Sequence, residues 1–134
     1  MPVYLTGLAT AVPPYILPQT LVLENARRVF GPKFENFERM AGSFLTAGVE
    51  KRHSFAPMEW YLEPQDWKTR NDIYLRGATD LFIDAARKAL IEADLRADQI
   101  DCVVTVSSTG IATPTLEAQA WLEMGFRHDI LRVP

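Results

Sequence analysis

One long helical pattern followed by an apolar run constrains the fold more than any other feature of this sequence. In residues 69–95, small and apolar side chains recur at spacings of three and four, at Leu75, Ala78, Phe82, Ala85, Ala89 and Ala93. Charged residues hold much of the remaining surface of the pattern. This arrangement predicts a long amphipathic helix whose small-residue face can lie close to a sheet.

Residues 100–107, directly after this helix, form a nearly continuous apolar run. Such a run is typical of a strand covered on both faces, so the two features together predict an α/β fold. A buried strand is also predicted at Val3–Thr10, ended by Pro13 and Pro14, and a further strand begins near residue 129. Helices are predicted over residues 18–31, 32–45 and 113–125, with Phe34, Phe37 and Met40 or Ala41 on one face of the second.

Composition excludes several classes of function. The chain has 134 residues and 48% hydrophobic residues, which predicts one globular domain over 1–134. A net charge of −3 argues against nucleic acid as a partner, because phosphate recognition needs a basic surface. There is no apolar run of eighteen residues, so we expect no membrane span. A single cysteine, Cys102, predicts a reducing, cytoplasmic location.

Only about three strands can be recognised in the sequence, whereas a typical sheet has about five or six. A sheet with so few strands leaves apolar edges that proteins normally cover. We therefore expect the chain to be part of a larger fold.

The junction at residues 103–118, "VVTVSSTGIATPTLEA", carries most of the chemistry. An apolar strand leads into the hydroxyls of Ser107, Ser108 and Thr109, and a helix follows. Ligands of open α/β sheets bind at the carboxyl ends of strands, where a helix N-terminus also offers backbone amides. The alternative is a capped turn, in which Thr109 and Thr113 satisfy backbone groups.

The order of motifs resembles the type III polyketide synthases, the chalcone and stilbene synthase family. The matching stretches are "GLATAVPP", "FERM", "VEKRH", a "W..RN..Y" pattern before the long helix, "DCVVTVSSTG" with its continuation to "TLEA", and "MGFRHDILRVP". The resemblance covers essentially the whole chain but only the N-terminal portion of such an enzyme. It implies a thiolase-like, layered αβαβα fold, of which this chain is most of the first half.

The implied activity is that of an acyltransferase of polyketide biosynthesis. A starter acyl group moves from coenzyme A to a cysteine, and malonyl-CoA units extend it; coenzyme A thioesters are substrates, and no bound cofactor or metal is expected. The family's nucleophilic cysteine corresponds to a position beyond Pro134, so we expect the chain to be truncated before it, to hold no catalytic residue and to be inactive alone. Cys102, early in an apolar run, is predicted to be an inert core residue. His53 and His128 do not match the family's histidine and are assigned to the surface.

The resemblance also implies binding residues. Ser108 and Thr109 match positions that line the family's active-site cavity, and Thr113 matches a position where a loop crosses the dimer interface. Arg39, in "FERM", matches a basic residue at the coenzyme A entrance, where a guanidinium suits phosphate. Asn36 stands at a second position of that entrance, where the family has lysine. A solvated face is the assignment for Arg27, Arg28 and Lys33, and it stays open as the alternative for Arg39.

Two other functions stay open at this point. The related ketoacyl synthase III of fatty-acid synthesis shares the fold and the acyl-CoA primer. A chain that is naturally this short would instead be a non-catalytic interaction module. For the full-length enzyme, the resemblance implies a homodimer that uses acyl-CoA and malonyl-CoA.

Overall fold

Two units make up the computed structural model, which describes residues 2–134. One unit combines residues 2–12 with residues 67–134, and the other comprises residues 13–66. We call them the first unit and the second unit. The prediction of a single domain is not tested by this division.

The long helix is the main element of the first unit. It spans Trp67–Glu92 (α3), as the sequence pattern predicted. The N-terminal segment, residues 2–12, passes over its small-residue face: a Cβ on Gly7 would lie 2.5 Å from the carbonyl oxygen of Ala89. The amide of Leu8 donates a hydrogen bond of 2.9 Å to Oε2 of Glu92. Glycine at position 7 therefore allows a close approach that any other residue would prevent.

The predicted strand at Val3–Thr10 is wrong, because the structure assigns no strand to this segment. Val3 is 96% exposed and Leu5 is 80% exposed. A strand needs a neighbouring ladder of backbone hydrogen bonds, and residues 2–134 provide none for this segment.

Two short parallel strands and one helix complete the first unit. Cys102–Val104 (β3) pairs with Leu131–Val133 (β4), and Leu116–Met124 (α4) packs against α3. Gly125 ends α4 with a φ of 75°, a conformation that glycine adopts without strain. The buried core contains Ile83, Ala120 and Met124, and Phe82, Ala86, Leu90 and Phe126 pack around it.

The strand predicted for residues 100–107 is shorter and more exposed than expected. Val104 is 65% exposed and Val106 is 94% exposed. Cys102, predicted to be a core residue, is exposed as well, so that prediction is wrong. Within the described residues only two strands form this sheet, so apolar side chains of β3 that a larger sheet would cover stay exposed.

The second unit contains two helices and a two-stranded antiparallel sheet. Tyr15–Pro18 (β1) pairs antiparallel with Lys51–Ser54 (β2). Between them lie helices Gln19–Phe30 (α1) and Phe37–Thr46 (α2), and a 3₁₀ turn follows β2 at Met58–Tyr61.

Leu23 of α1 meets Phe37 and Ala41 of α2 in the core of the second unit. Phe34 and Met40, predicted for the same face as Phe37, are 52% and 54% exposed. Phe34 does not share the buried face because α2 begins only at Phe37, and Phe34 therefore lies before the helix. Residues 2–134 include no helix that is both long and apolar enough to cross a bilayer.

Candidate functional site

The loop between β3 and α4 holds the hydroxyl-rich stretch and is fastened to α3. Oη of Tyr74 lies 2.7 Å from Oγ of Ser107, within hydrogen-bonding distance. Asn71, one turn earlier on α3, makes two hydrogen bonds with Ile111: its Nδ2 donates to the carbonyl oxygen (3.0 Å), and its Oδ1 accepts from the amide (2.9 Å). These three bonds fix both ends of the segment from Ser107 to Ile111.

Gly110 lies against the ring of Tyr74. A Cβ at this position would be 2.3 Å from Cδ1 of Tyr74, closer than any two such atoms can approach. The glycine therefore allows the loop to lie on the aromatic ring, and the ring in turn limits how far the loop can move.

A buried carboxylate supports the loop from the α4 side. Glu117 is only 1% exposed. Oγ1 of Thr105 donates to its Oε2 at 2.7 Å, and Oγ1 of Thr115 donates to its Oε1. Burial acts to raise the pKa of Glu117, but hydrogen bonds from Thr115, Thr105 and its own backbone, together with the charge of Arg132, lower that pKa below its ordinary value. The carboxylate is therefore ionised near neutral pH and joins the end of β3 to the start of α4.

Ser108, Thr109 and Thr113 are the loop residues that the sequence assigned to substrate binding. All three are exposed, and no side-chain hydrogen bond within residues 2–134 engages their hydroxyls. The alternative in which Thr109 and Thr113 cap the backbone is therefore wrong. Their hydroxyls are available to donate hydrogen bonds to a ligand or to accept them from it.

Sequence reasoning missed the residues that hold this loop. Asn71 and Tyr74 belong to the "W..RN..Y" pattern, whose spacing places them on neighbouring turns of α3. Only their contacts show that they bind the loop. Glu117 was part of the quoted "TLEA" stretch. The available signal was a carboxylate two residues after the threonine at the N-cap position of α4.

Asn36 and Arg39, the predicted coenzyme A residues, lie in the second unit. Asn36 occupies the N-cap position of α2 without a side-chain capping bond, and Arg39 follows in the first turn. Both are exposed, and Arg39 makes no ion pair within residues 2–134. Arg27 instead pairs with Glu38 at 3.0 Å. Arg28 and Lys33 are exposed, which agrees with their assignment to a solvated face.

The remaining candidate groups are separate from one another. No cluster of three potential metal ligands occurs in the part of the chain that the structure describes. His128 is exposed as expected, and its ring contacts Trp121 edge-on at 5.1 Å. His53 is half-buried in β2 rather than in a surface loop, and its Nδ1 lies 3.2 Å from the carbonyl oxygen of Pro13.

Comparison with known proteins gives a consistent result. A chalcone synthase-like protein of Bacillus subtilis (strain 168) is 28% identical over 136 residues, and the match covers 98% of this chain and 37% of that protein. The 1,3,6,8-tetrahydroxynaphthalene synthase of Streptomyces peucetius subsp. caesius is 39% identical over 89 residues, covering 66% of this chain and 24% of the enzyme. No protein-family model matches the chain.

A solved structure decides the fold. The crystal structure of 1,3,6,8-tetrahydroxynaphthalene synthase from Streptomyces coelicolor A3(2), a bacterial type III polyketide synthase, matches 96% of this chain with a TM-score of 0.85 and 30% identity. The chain resembles type III polyketide synthases in both sequence and fold. The predicted resemblance and the thiolase-like α/β fold class are thus confirmed. The chain spans about a third of the length of the relatives it matches, 37% for the solved structure, which agrees with an N-terminal portion.

Proposed function

We propose that this chain supplies the N-terminal part of a type III polyketide synthase, an acyltransferase that condenses an acyl-CoA starter with malonyl-CoA units. The observation that carries the proposal is the match to tetrahydroxynaphthalene synthase, at 30% identity and a TM-score of 0.85. The relatives are named as polyketide enzymes, so the comparisons do not favour the ketoacyl synthase III alternative.

The proposed chemistry is a decarboxylative condensation. A cysteine thiolate outside this chain attacks the starter thioester, forms an acyl-cysteine and releases coenzyme A as the thiolate. Malonyl-CoA then loses CO₂, and the electron pair of the broken bond forms an enolate. The enolate carbon attacks the acyl-cysteine, the C–S bond breaks, and the cysteine leaves as thiolate while the extended chain stays on coenzyme A. Covalent catalysis divides the formation of a carbon–carbon bond into manageable steps.

The loop between β3 and α4 is the part of this chain that we assign to the growing polyketide. The exposed hydroxyls of Ser108 and Thr109 donate hydrogen bonds to its carbonyl oxygens and orient it before cyclisation. Thr113 is small, so it leaves room in the cavity where a bulkier residue would limit the length of the chain. The contacts with Asn71, Tyr74 and Glu117 hold these hydroxyls in place.

Arg39 is the residue of this chain that we assign to coenzyme A. Its exposed guanidinium has no ion-pair partner within the described residues and carries two donors for a phosphate. Asn36 adds a neutral amide in place of a second charge, so we assign it only a supporting contact. We also propose that the full-length enzyme is cytoplasmic and homodimeric.

A turnover assay tests the proposed function. The full-length gene product and the 134-residue chain are incubated separately with an acyl-CoA and malonyl-CoA, and pyrone or resorcinol products are measured by mass spectrometry. We expect products from the full-length protein alone. Turnover by the short chain contradicts the assignment of the nucleophile to another segment.

Adding acyl carrier protein supplies the control for the alternative enzyme. A type III polyketide synthase uses free malonyl-CoA, so carrier protein does not change its rate. A strict requirement for malonyl-loaded carrier protein favours a ketoacyl synthase and contradicts the proposal.

A further inference from the structure

A pocket in the second unit lies outside the residues assigned to the proposed reaction. Its volume is about 340 Å³, and it opens between α1, the β1–β2 sheet and the 3₁₀ turn. This volume lies at the lower end of the range of about 300–1,000 Å³ that is typical of small-molecule sites. Neither Arg39 nor Asn36 lines it.

The wall of the pocket is mainly apolar. Seven aliphatic, aromatic or thioether side chains line it: Leu17, Val22, Ala26, Val29, Phe30, Met58 and Leu62. The polar lining comprises Asn25, Arg52, His53, Ser54 and Tyr61. Ser54 and Tyr61 already bond to each other, with 2.6 Å between their hydroxyl oxygens. A ligand that fits this wall has an apolar body and only one polar end.

Arg52 is the charged residue of the lining, and its neighbours hold it in position. Its Nε donates to Oε1 of Gln19 at 3.0 Å. Gln19 is 5% exposed, and its own Nε2 donates to the carbonyl oxygen of Phe44 at 3.1 Å. This leaves the two terminal amino groups of Arg52 without a partner within residues 2–134. The contact at Nε therefore positions the guanidinium, and the N–H groups of its two terminal nitrogens are available to an anion.

None of the described residues that line the pocket is acidic, so no carboxylate in its wall competes for the charge of Arg52. A single guanidinium pairs well with one carboxylate, because two of its coplanar N–H groups can donate to the two carboxylate oxygens. We propose that this pocket binds a small amphipathic monocarboxylate, with its hydrocarbon chain against α1 and its carboxylate on Arg52. This second ligand site does not depend on the proposed condensation.

Octanoate is the probe that tests the site, with hexanoate and octanol as comparisons. NMR titration of the methyl groups of the 134-residue chain shows where each probe binds. We expect saturable shifts at Leu17, Val22 and Val29, and none at Val106 or Leu122, which are 94% and 86% exposed elsewhere on the chain. Hexanoate has two fewer methylene groups than octanoate, so its affinity for the pocket should be about tenfold lower. Octanol, which lacks the charge, binds more weakly than octanoate.

Two variants and one matched control assign the contacts. Arg52→Gln weakens octanoate about tenfold or more and leaves octanol unchanged. Arg28→Gln removes the same charge from an exposed residue that does not line the pocket, so it changes neither affinity. Val29→Phe fills the pocket and abolishes binding of both probes, which keeps the test valid if loss of the Gln19 contact unfolds the Arg52 variant.

Three results overturn the proposal. They are the absence of saturable shifts at the pocket methyl groups, equal affinities for octanoate and octanol, and equal weakening of octanoate binding by the Arg52 and Arg28 variants.

Discussion

Two regions of this chain carry predicted binding residues, and they are built in different ways. The loop between β3 and α4 is fixed by Asn71, Tyr74 and the buried Glu117, which leave its remaining hydroxyls exposed. The start of α2 presents Asn36 and Arg39 on an open surface, with no side-chain bond that orients either of them. Contacts within the chain hold the loop in place, whereas no such contact orients the side chains of Asn36 and Arg39 within the described residues. Substitutions at Glu117 or Gly110 are therefore expected to lower stability, whereas substitution of Arg39 is expected to leave stability nearly unchanged.

The largest effect on stability is expected from Glu117→Ala. It removes the charged acceptor of two threonine hydroxyls and leaves both half-buried donors unpaired, which costs about 3 kcal/mol of the free energy of unfolding. Urea unfolding of the 134-residue chain measures this loss. A change below about 0.5 kcal/mol would show that the loop is not held by this carboxylate.

Gly110→Ala is expected to have the next largest effect. The added methyl group meets the ring of Tyr74 at 2.3 Å, so the loop or the ring must move. Overpacking of this kind costs about 2 kcal/mol. Gly42→Ala is the matched control, because a Cβ at Gly42 meets no atom within 4 Å. Equal melting temperatures for the two variants would contradict the close contact.

Lowering the pH is expected to reduce the contribution of Glu117 to the stability of the fold. The pKa of Glu117 in the folded chain lies below its ordinary value of 4.5, so the ionised form stabilises the fold. This contribution is complete above the ordinary pKa and is lost as the pH falls through the lower pKa of the folded state. The difference in melting temperature between the native chain and Glu117→Gln should therefore shrink as the pH falls below 4.5. A difference that stays constant down to pH 2 contradicts this linkage.

Arg39→Gln is expected to have the smallest effect on stability. The side chain is exposed and unpaired within the described residues, so the free energy of unfolding changes by less than about 0.5 kcal/mol. In the full-length enzyme, the same substitution should raise the KM for malonyl-CoA several-fold and leave kcat nearly unchanged. Arg28→Gln serves as the control of equal charge. An unchanged KM would remove Arg39 from the proposed coenzyme A contact.

The sequence predicted helices better than strands, and the reason is physical. The periodic pattern of α3 and the terminal glycines at Gly31 and Gly125 are local signals, and the helices follow them closely. Strands depend on partners distant in sequence, so an apolar run such as Val3–Thr10 does not form one without a neighbour. The exposure of Cys102 follows from the same cause, because β4 is the one strand that pairs with β3 among residues 2–134.

The candidate loop was located from sequence, but its supports were not. A strand end rich in hydroxyls indicated a candidate site within residues 103–118, and the motif order indicated the resemblance to type III polyketide synthases. The bonds of Asn71 to Ile111, 40 positions away in the chain, are long-range contacts that no local pattern encodes. The same holds for the Arg52–Gln19 contact at the pocket, where 33 positions separate the partners.

The central claim is that the loop between β3 and α4 presents its hydroxyls to a growing polyketide. The most direct test is the product profile of the full-length gene product with acyl-CoA and malonyl-CoA, compared among Ser108→Ala/Thr109→Ala, Thr113→Leu and the exposed-hydroxyl control Thr20→Ala. We expect the double variant to change the ratio of cyclised products, Thr113→Leu to shorten them, and the control to match the native enzyme, all at unchanged melting temperature. A native rate and product profile in both loop variants would contradict the claim.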